Sequence, residues 1–73
     1  MGGQAVFTFV STHHALKAEK VLLEAAVKSA IIPVPRRISS LCGLAIKMDA
    51  ELAPLAQEVM RGAGVQIEEV HRF

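Results

Sequence analysis

The residues best suited to chemistry crowd into one stretch, Pro33-Val34-Pro35-Arg36-Arg37-Ile38-Ser39-Ser40-Leu41-Cys42-Gly43. It holds the only cysteine, two adjacent arginines, two adjacent serines and two of the three prolines. A cysteine reacts as its thiolate, and guanidinium and hydroxyl groups are donors that steady a thiolate or a bound oxyanion. Prolines fix backbone angles and withhold donors, so a strand arriving at Pro35 gives way to a loop. Gly43 lets the backbone turn sharply beside the cysteine. Cys42 is therefore the candidate reactive group, with Arg36, Arg37, Ser39, Ser40 and Gly43 as its surroundings.

What surrounds that stretch must be scaffold. A chain of 73 residues has room for a single domain, here residues 1–73, whose small core must pack efficiently or be shared with a partner. The hydrophobic fraction of 52% with aromatics at 4% excludes disorder and implies an interior of Val, Ile, Leu and Ala, with Phe7 and Phe9 as its largest side chains. A net charge of +1 gives no basis for a sequence-independent grip on nucleic acid, which needs many phosphate contacts. Cys42 has no internal disulfide partner. With no cationic start leading into an apolar run, and no apolar segment of membrane length, a reducing cytoplasmic home and no membrane contact are expected. Gly2 does not lead a myristoylation motif, because Val6 stands where Ser or Thr is required.

Taken in order, Gln4 to Val10 is rich in strand formers, with Phe7 and Phe9 on one face and Val6, Thr8 and Val10 on the other. Ser11 and Thr12 supply a hydroxyl cap for a helix from His13 to about Lys28. Its polar stripe is Lys17, Lys20, Glu24 and Lys28, the last three placed to pair, and its apolar face is Ala15, Ala18, Leu22, Ala25 and Ala26. Ala30 to Val34 reads as a short edge strand, since Pro33 cannot donate to a ladder on its side. Leu44 to Met48 alternates as a third strand with Leu44, Ile46 and Met48 inward. Asp49 can cap a second helix running to about Arg61, beginning irregularly because of Pro54 and ended by Gly62-Ala63-Gly64. Val65 to Val70 closes the chain as a fourth strand, with Glu68-Glu69 marking a bulge.

Strand, helix, strand, strand, helix, strand is the split βαβ pattern of α+β, ferredoxin-like βαββαβ domains, a two-layer sandwich with an antiparallel sheet in the order 4-1-3-2. In that topology the first strand ends, the first helix begins, the second strand ends and the third begins at one rim. Thr12, His13 and His14 thereby share a rim with Arg36 to Gly43, and Cys42 lies near the amide-rich start of the first helix, surroundings that favour negative charge. His71 leaves at the opposite rim.

Plainer readings attach to each residue. A lone cysteine is often a small buried hydrophobe, adjacent histidines are often polar filler in a first turn, and Arg and Ser pairs are ordinary loop chemistry. What favours function is convergence on one edge. A metal site from His13, His14 and Cys42 is disfavoured because adjacent helical side chains point about 100° apart. RNA recognition would need aromatics that Leu44 to Met48 lacks. A Cys-His hydrolase would need an oxyanion hole and a cleft that so short a chain hardly offers. Ligand sensing at a dimer interface stays open, because the outer sheet face is expected to carry Val6, Val10 and Val70.

Over nearly its whole length the chain resembles the small selenium/sulfur (Se/S) carrier protein-like family. The resemblance rests on the opening strand followed by Ser11-Thr12-His13-His14-Ala15 and Lys17-Ala18-Glu19, and above all on Pro33 to Gly43. The family's cysteine maps onto Cys42, and its arginine, paired serines and glycine onto Arg36 or Arg37, Ser39, Ser40 and Gly43. The resemblance implies a cytoplasmic prokaryotic protein of selenium or sulfur metabolism, in which the cysteine holds the chalcogen as a persulfide or selenopersulfide. Its partners would be a donor such as a cysteine desulfurase and an acceptor enzyme. No cofactor and no metal is called for, and a homodimer is left open. With no second cysteine to resolve the adduct, a carrier or accessory protein fits better than a self-contained catalyst. The alternative is a small-anion-binding or regulatory module, acting as a homo-oligomer, in which Cys42 is structural.

Overall fold

A computed structural model of the protein describes residues 3–38 and 42–73. The chain runs β1 (Gln4–Phe9), α1 (Thr12–Glu24), β2 (Ala30–Pro33), β3 (Leu44–Asp49), α2 (Ala53–Gly62) and β4 (Ile67–Arg72). The four strands form one antiparallel sheet in the order β2-β3-β1-β4, the expected ferredoxin-like arrangement read from the other edge.

Alternation sets the two faces of the sheet. Ala5, Phe7 and Phe9 of β1 and Ile46 and Met48 of β3 point to the helices. There they are buried with Ala15, Ala18 and Leu22 of α1 and Ala53, Ala56 and Met60 of α2. Alanines on both helices let the helix layer sit close to the two phenylalanines. Val70 belongs to this inner layer, which corrects its expected place on the outer face: it is opposite Phe7 in the ladder and packs on the same cluster. The outer face has a second, smaller cluster, Val6 and Ala45 covered by Ile38, with Ile32 and Val34 against it. Thr8 is also fully buried, and its hydroxyl has no hydrogen-bond partner among the described residues.

Both helices end the same way. At the end of α2, Gly64 takes φ +80°, its N–H donates to Arg61 and the Val65 N–H to Met60, which tucks Val65 into the core. At the end of α1, Ala26 takes φ +59°, its N–H donates to Leu23 and the Val27 N–H to Leu22, burying Val27. This left-handed cap usually carries glycine, because a Cβ costs about 1–2 kcal/mol there. Burial of Val27 offsets that strain and stops the helix at Glu24, short of the expected Lys28. Lys28 therefore lies off the helix, and among the described residues no ion pair joins Lys20 to Glu24.

Two further expectations are adjusted. Asp49 makes no side-chain cap bond. Ala50–Leu52 forms a 3-10 turn and α2 follows with Pro54 in its first turn, where a missing N–H is harmless. The fourth strand starts at Ile67 because Val65 is spent on the helix cap. The bulge falls where Glu68-Glu69 predicted it, between the Thr8/Glu69 and Phe9/Ile67 pairs.

Candidate functional site

The antiparallel pairings bring four chain ends to one rim. Phe9 and Ser11 leave β1, α1 starts at Thr12, Leu44 opens β3 opposite Pro33, and Ile67 opens β4 opposite Phe9. Ser11 caps α1, its Oγ accepting from the His14 N–H at 3.4 Å. The next hydroxyl, on Thr12, donates to the Cys42 carbonyl at 3.4 Å, so the first turn of α1 is tied to the segment that carries the sulfur.

Cys42 is half-buried and packs against the inner core. Its thiol donates to the Leu44 carbonyl at 2.9 Å, and the Leu44 N–H donates back to Sγ at 3.4 Å. Both contacts require the chain to reverse at Gly43, which takes φ +76° with open space where a Cβ would stand. The Gly43 carbonyl accepts from the Val34 N–H at 3.0 Å, closing the long β2–β3 connection at its base. The turn thus aims the Leu44 N–H at the sulfur.

His14, half-buried, joins this rim to the α2–β4 turn. Its Nδ1 accepts from the Gln66 N–H at 3.0 Å, which leaves the ring proton on Nε2 in that bonded form. His13 is exposed and meets the His14 ring edge-on at 5.6 Å. Leu44 and Gln66 act through their backbone, so their side chains gave no signal. The topology held one, because β4 begins at the rim where β1 ends.

Arg37 has a partner of its own. Pro35 to Ile38 is a turn closed by the Ile38 N–H on the Pro35 carbonyl at 2.9 Å, with Arg36 and Arg37 exposed at its centre. Ile38 anchors that turn on the outer face of the sheet. The Arg37 guanidinium stands over the Phe73 ring at 5.5 Å. Phe73 exchanges backbone hydrogen bonds with Gln4, at the opposite rim. Five residue steps of extended β1 lead from Gln4 to Phe9, on the order of 16 Å. The structure therefore ties Thr12 to Cys42, sets His13 and His14 beside Thr12 in the first turn of α1, and holds Arg37 at Phe73. Ser39 and Ser40 lie outside the described residues.

Fold and corner together define a small ferredoxin-like α+β domain whose one cysteine is tied through its backbone carbonyl to the first turn of α1. The chain belongs to the family described as "Putative Se/S carrier protein-like", whose model matches residues 4–72. No curated protein and no solved structure matches it. Among the described residues no helix is long and apolar enough to cross a membrane.

Proposed function

We propose that the protein carries a single sulfur or selenium atom on Cys42 between a donor persulfide and an acceptor of selenium or sulfur metabolism. The observation that carries this reading is the half-buried Cys42, whose carbonyl is tied to Thr12 in the first turn of α1, in a chain whose family is named for such a carrier. The step is an exchange without net redox change. The Cys42 sulfur attacks the outer chalcogen of the donor persulfide, a new bond to that atom forms, and the bond to the donor sulfur breaks. The proton that Cys42 shares with the Leu44 carbonyl ends on the departing donor thiolate. The Leu44 N–H and the Nε2–H of His14 are the donors assigned to the anionic adduct, and Thr12, whose hydroxyl donates to the Cys42 carbonyl, holds the cysteine at the first turn of α1. Arg36, Ser39 and Ser40 are assigned to the approach of the anionic partner, and Arg37 joins them only by leaving Phe73. With one cysteine in the chain, the atom leaves to an outside thiol.

The test is loading with a cysteine desulfurase and its substrate, read by intact mass. Wild type gains one sulfur or selenium atom and Cys42→Ser gains none. Equal label on both ends the reading.

A second reading, an anion-binding or regulatory module in which Cys42 is structural, is favoured by the thiol's bonds within its own turn and its contact with the core. Under it Cys42→Ser leaves phosphate or selenite binding intact while wild type fails to load.

A further inference from the structure

The two edges of the sheet are not alike. On β2, the Val34–Gly43 bond makes that pair hydrogen-bonded, so by alternation Ile32 and Ala30 also face β3, while Ile31 and Pro33 face outward. An outward proline has no N–H to offer, and the edge is blunted against pairing. On β4, Gln4 and Phe73 exchange both of their backbone bonds, at 2.9 and 2.8 Å. Alternation then turns His71 and Glu69 toward β1 and leaves the N–H and C=O of Val70 and Arg72 facing the open side. No proline guards this edge.

Its sequence is Glu68-Glu69-Val70-His71-Arg72, two acids, a valine and two bases. Read antiparallel against itself about Val70, its centre Glu69-Val70-His71 is self-complementary. Val70 meets Val70 with both sets of backbone groups pointing across, and Glu69 falls opposite His71 on either side of the axis; Glu68, the extra residue of the bulge, takes no part in that ladder. Glu69 and His71 are on one face of the strand and within reach of each other, since they already pair in the single chain at 2.8 Å. Shifting the axis to Arg72, the next outward residue, would set arginine against arginine. An axis at His71 would pair the outward groups of Val70 with those of Arg72, but it sets histidine against histidine and leaves Glu69 opposite Phe73, so the Val70 register is the one that places opposite charges face to face.

We propose that β4 is a homodimer edge, with two copies of this chain joining antiparallel about Val70 into one eight-stranded sheet. The proposal is independent of what Cys42 carries. The two-fold axis turns the rims of the two copies in opposite directions, so the two Cys42 corners lie at opposite edges of the joined sheet and each works alone.

Sedimentation from micromolar to millimolar protein tests it, with circular dichroism as the check on folding. Wild type shows a concentration-dependent dimer. His71→Glu, which sets acid against acid at both symmetric pairs, weakens it about tenfold or more. The exchange Glu69→His with His71→Glu restores it, and Glu69→Lys at an exposed position weakens it like the first variant. Val70→Pro removes an N–H that the single chain does not use, and gives a folded monomer. A wild type that stays monomeric throughout, or a dimer indifferent to His71→Glu and Val70→Pro, overturns the proposal.

Discussion

The two ends of the β2–β3 connection, neighbours in sequence, are held for different purposes. Its first half, Val34 to Ile38, lies on the outer face of the sheet, fastened by Ile38 over Val6 and Ala45, with Arg37 carried on to Phe73. Its last residues, Cys42 and Gly43, belong to the helix side, tied to Thr12 and bonded to Leu44. A run of residues that looks like one chemical cluster is thus divided by the sheet edge. A side chain's place is decided by what its neighbours bury, and Ile38 takes Arg37 with it.

Breaking either half should leave the other recognisable. The largest stability effect is expected for Ile38→Ala, about 2–3 kcal/mol by loss of the buried side chain, seen as a lower urea midpoint while the folded fraction still loads Cys42. Gly43→Ala comes next. It meets no steric clash, so its cost is the left-handed backbone alone, about 1–2 kcal/mol, and because Leu44 is then re-aimed the loading rate should fall as well. Thr8→Val sharpens the outer half in the opposite direction. Removing a buried hydroxyl without a partner should raise stability by about 1 kcal/mol with loading unchanged. Arg37→Ala is the smallest, losing about 0.5–1 kcal/mol of contact with Phe73 at the surface. A large fall in loading rate for Arg37→Ala would show that the guanidinium reaches the sulfur after all.

Much of this was legible in the sequence. Strict alternation in β1 and β3, the Gly62–Gly64 stop and the paired glutamates of the bulge fixed element order, sheet order and the rim shared by Cys42 and the start of α1. The end of α1 was not legible, because the left-handed residue is Ala26, and what stabilises it is Val27 reaching a core that only the folded chain creates. Val70 was misplaced for a related reason: the extra residue in the β4 bulge resets which face each side chain takes. The placement of Arg37 against Phe73 depends on Ile38 finding Val6 and Ala45, a contact between distant segments that no local pattern announces. The backbone partners, Leu44 to the sulfur and Gln66 to His14, are invisible to any reading of side-chain types.

The central claim is that Cys42 holds an atom in transit, and its most direct test follows the atom off the protein. Wild type loaded with labelled sulfur or selenium, separated from its donor and mixed with an excess of a low-molecular-weight thiol, should return to its unloaded mass as an equal amount of label appears on the thiol. Label that stays on Cys42 under these conditions would mark a dead-end adduct and contradict the account.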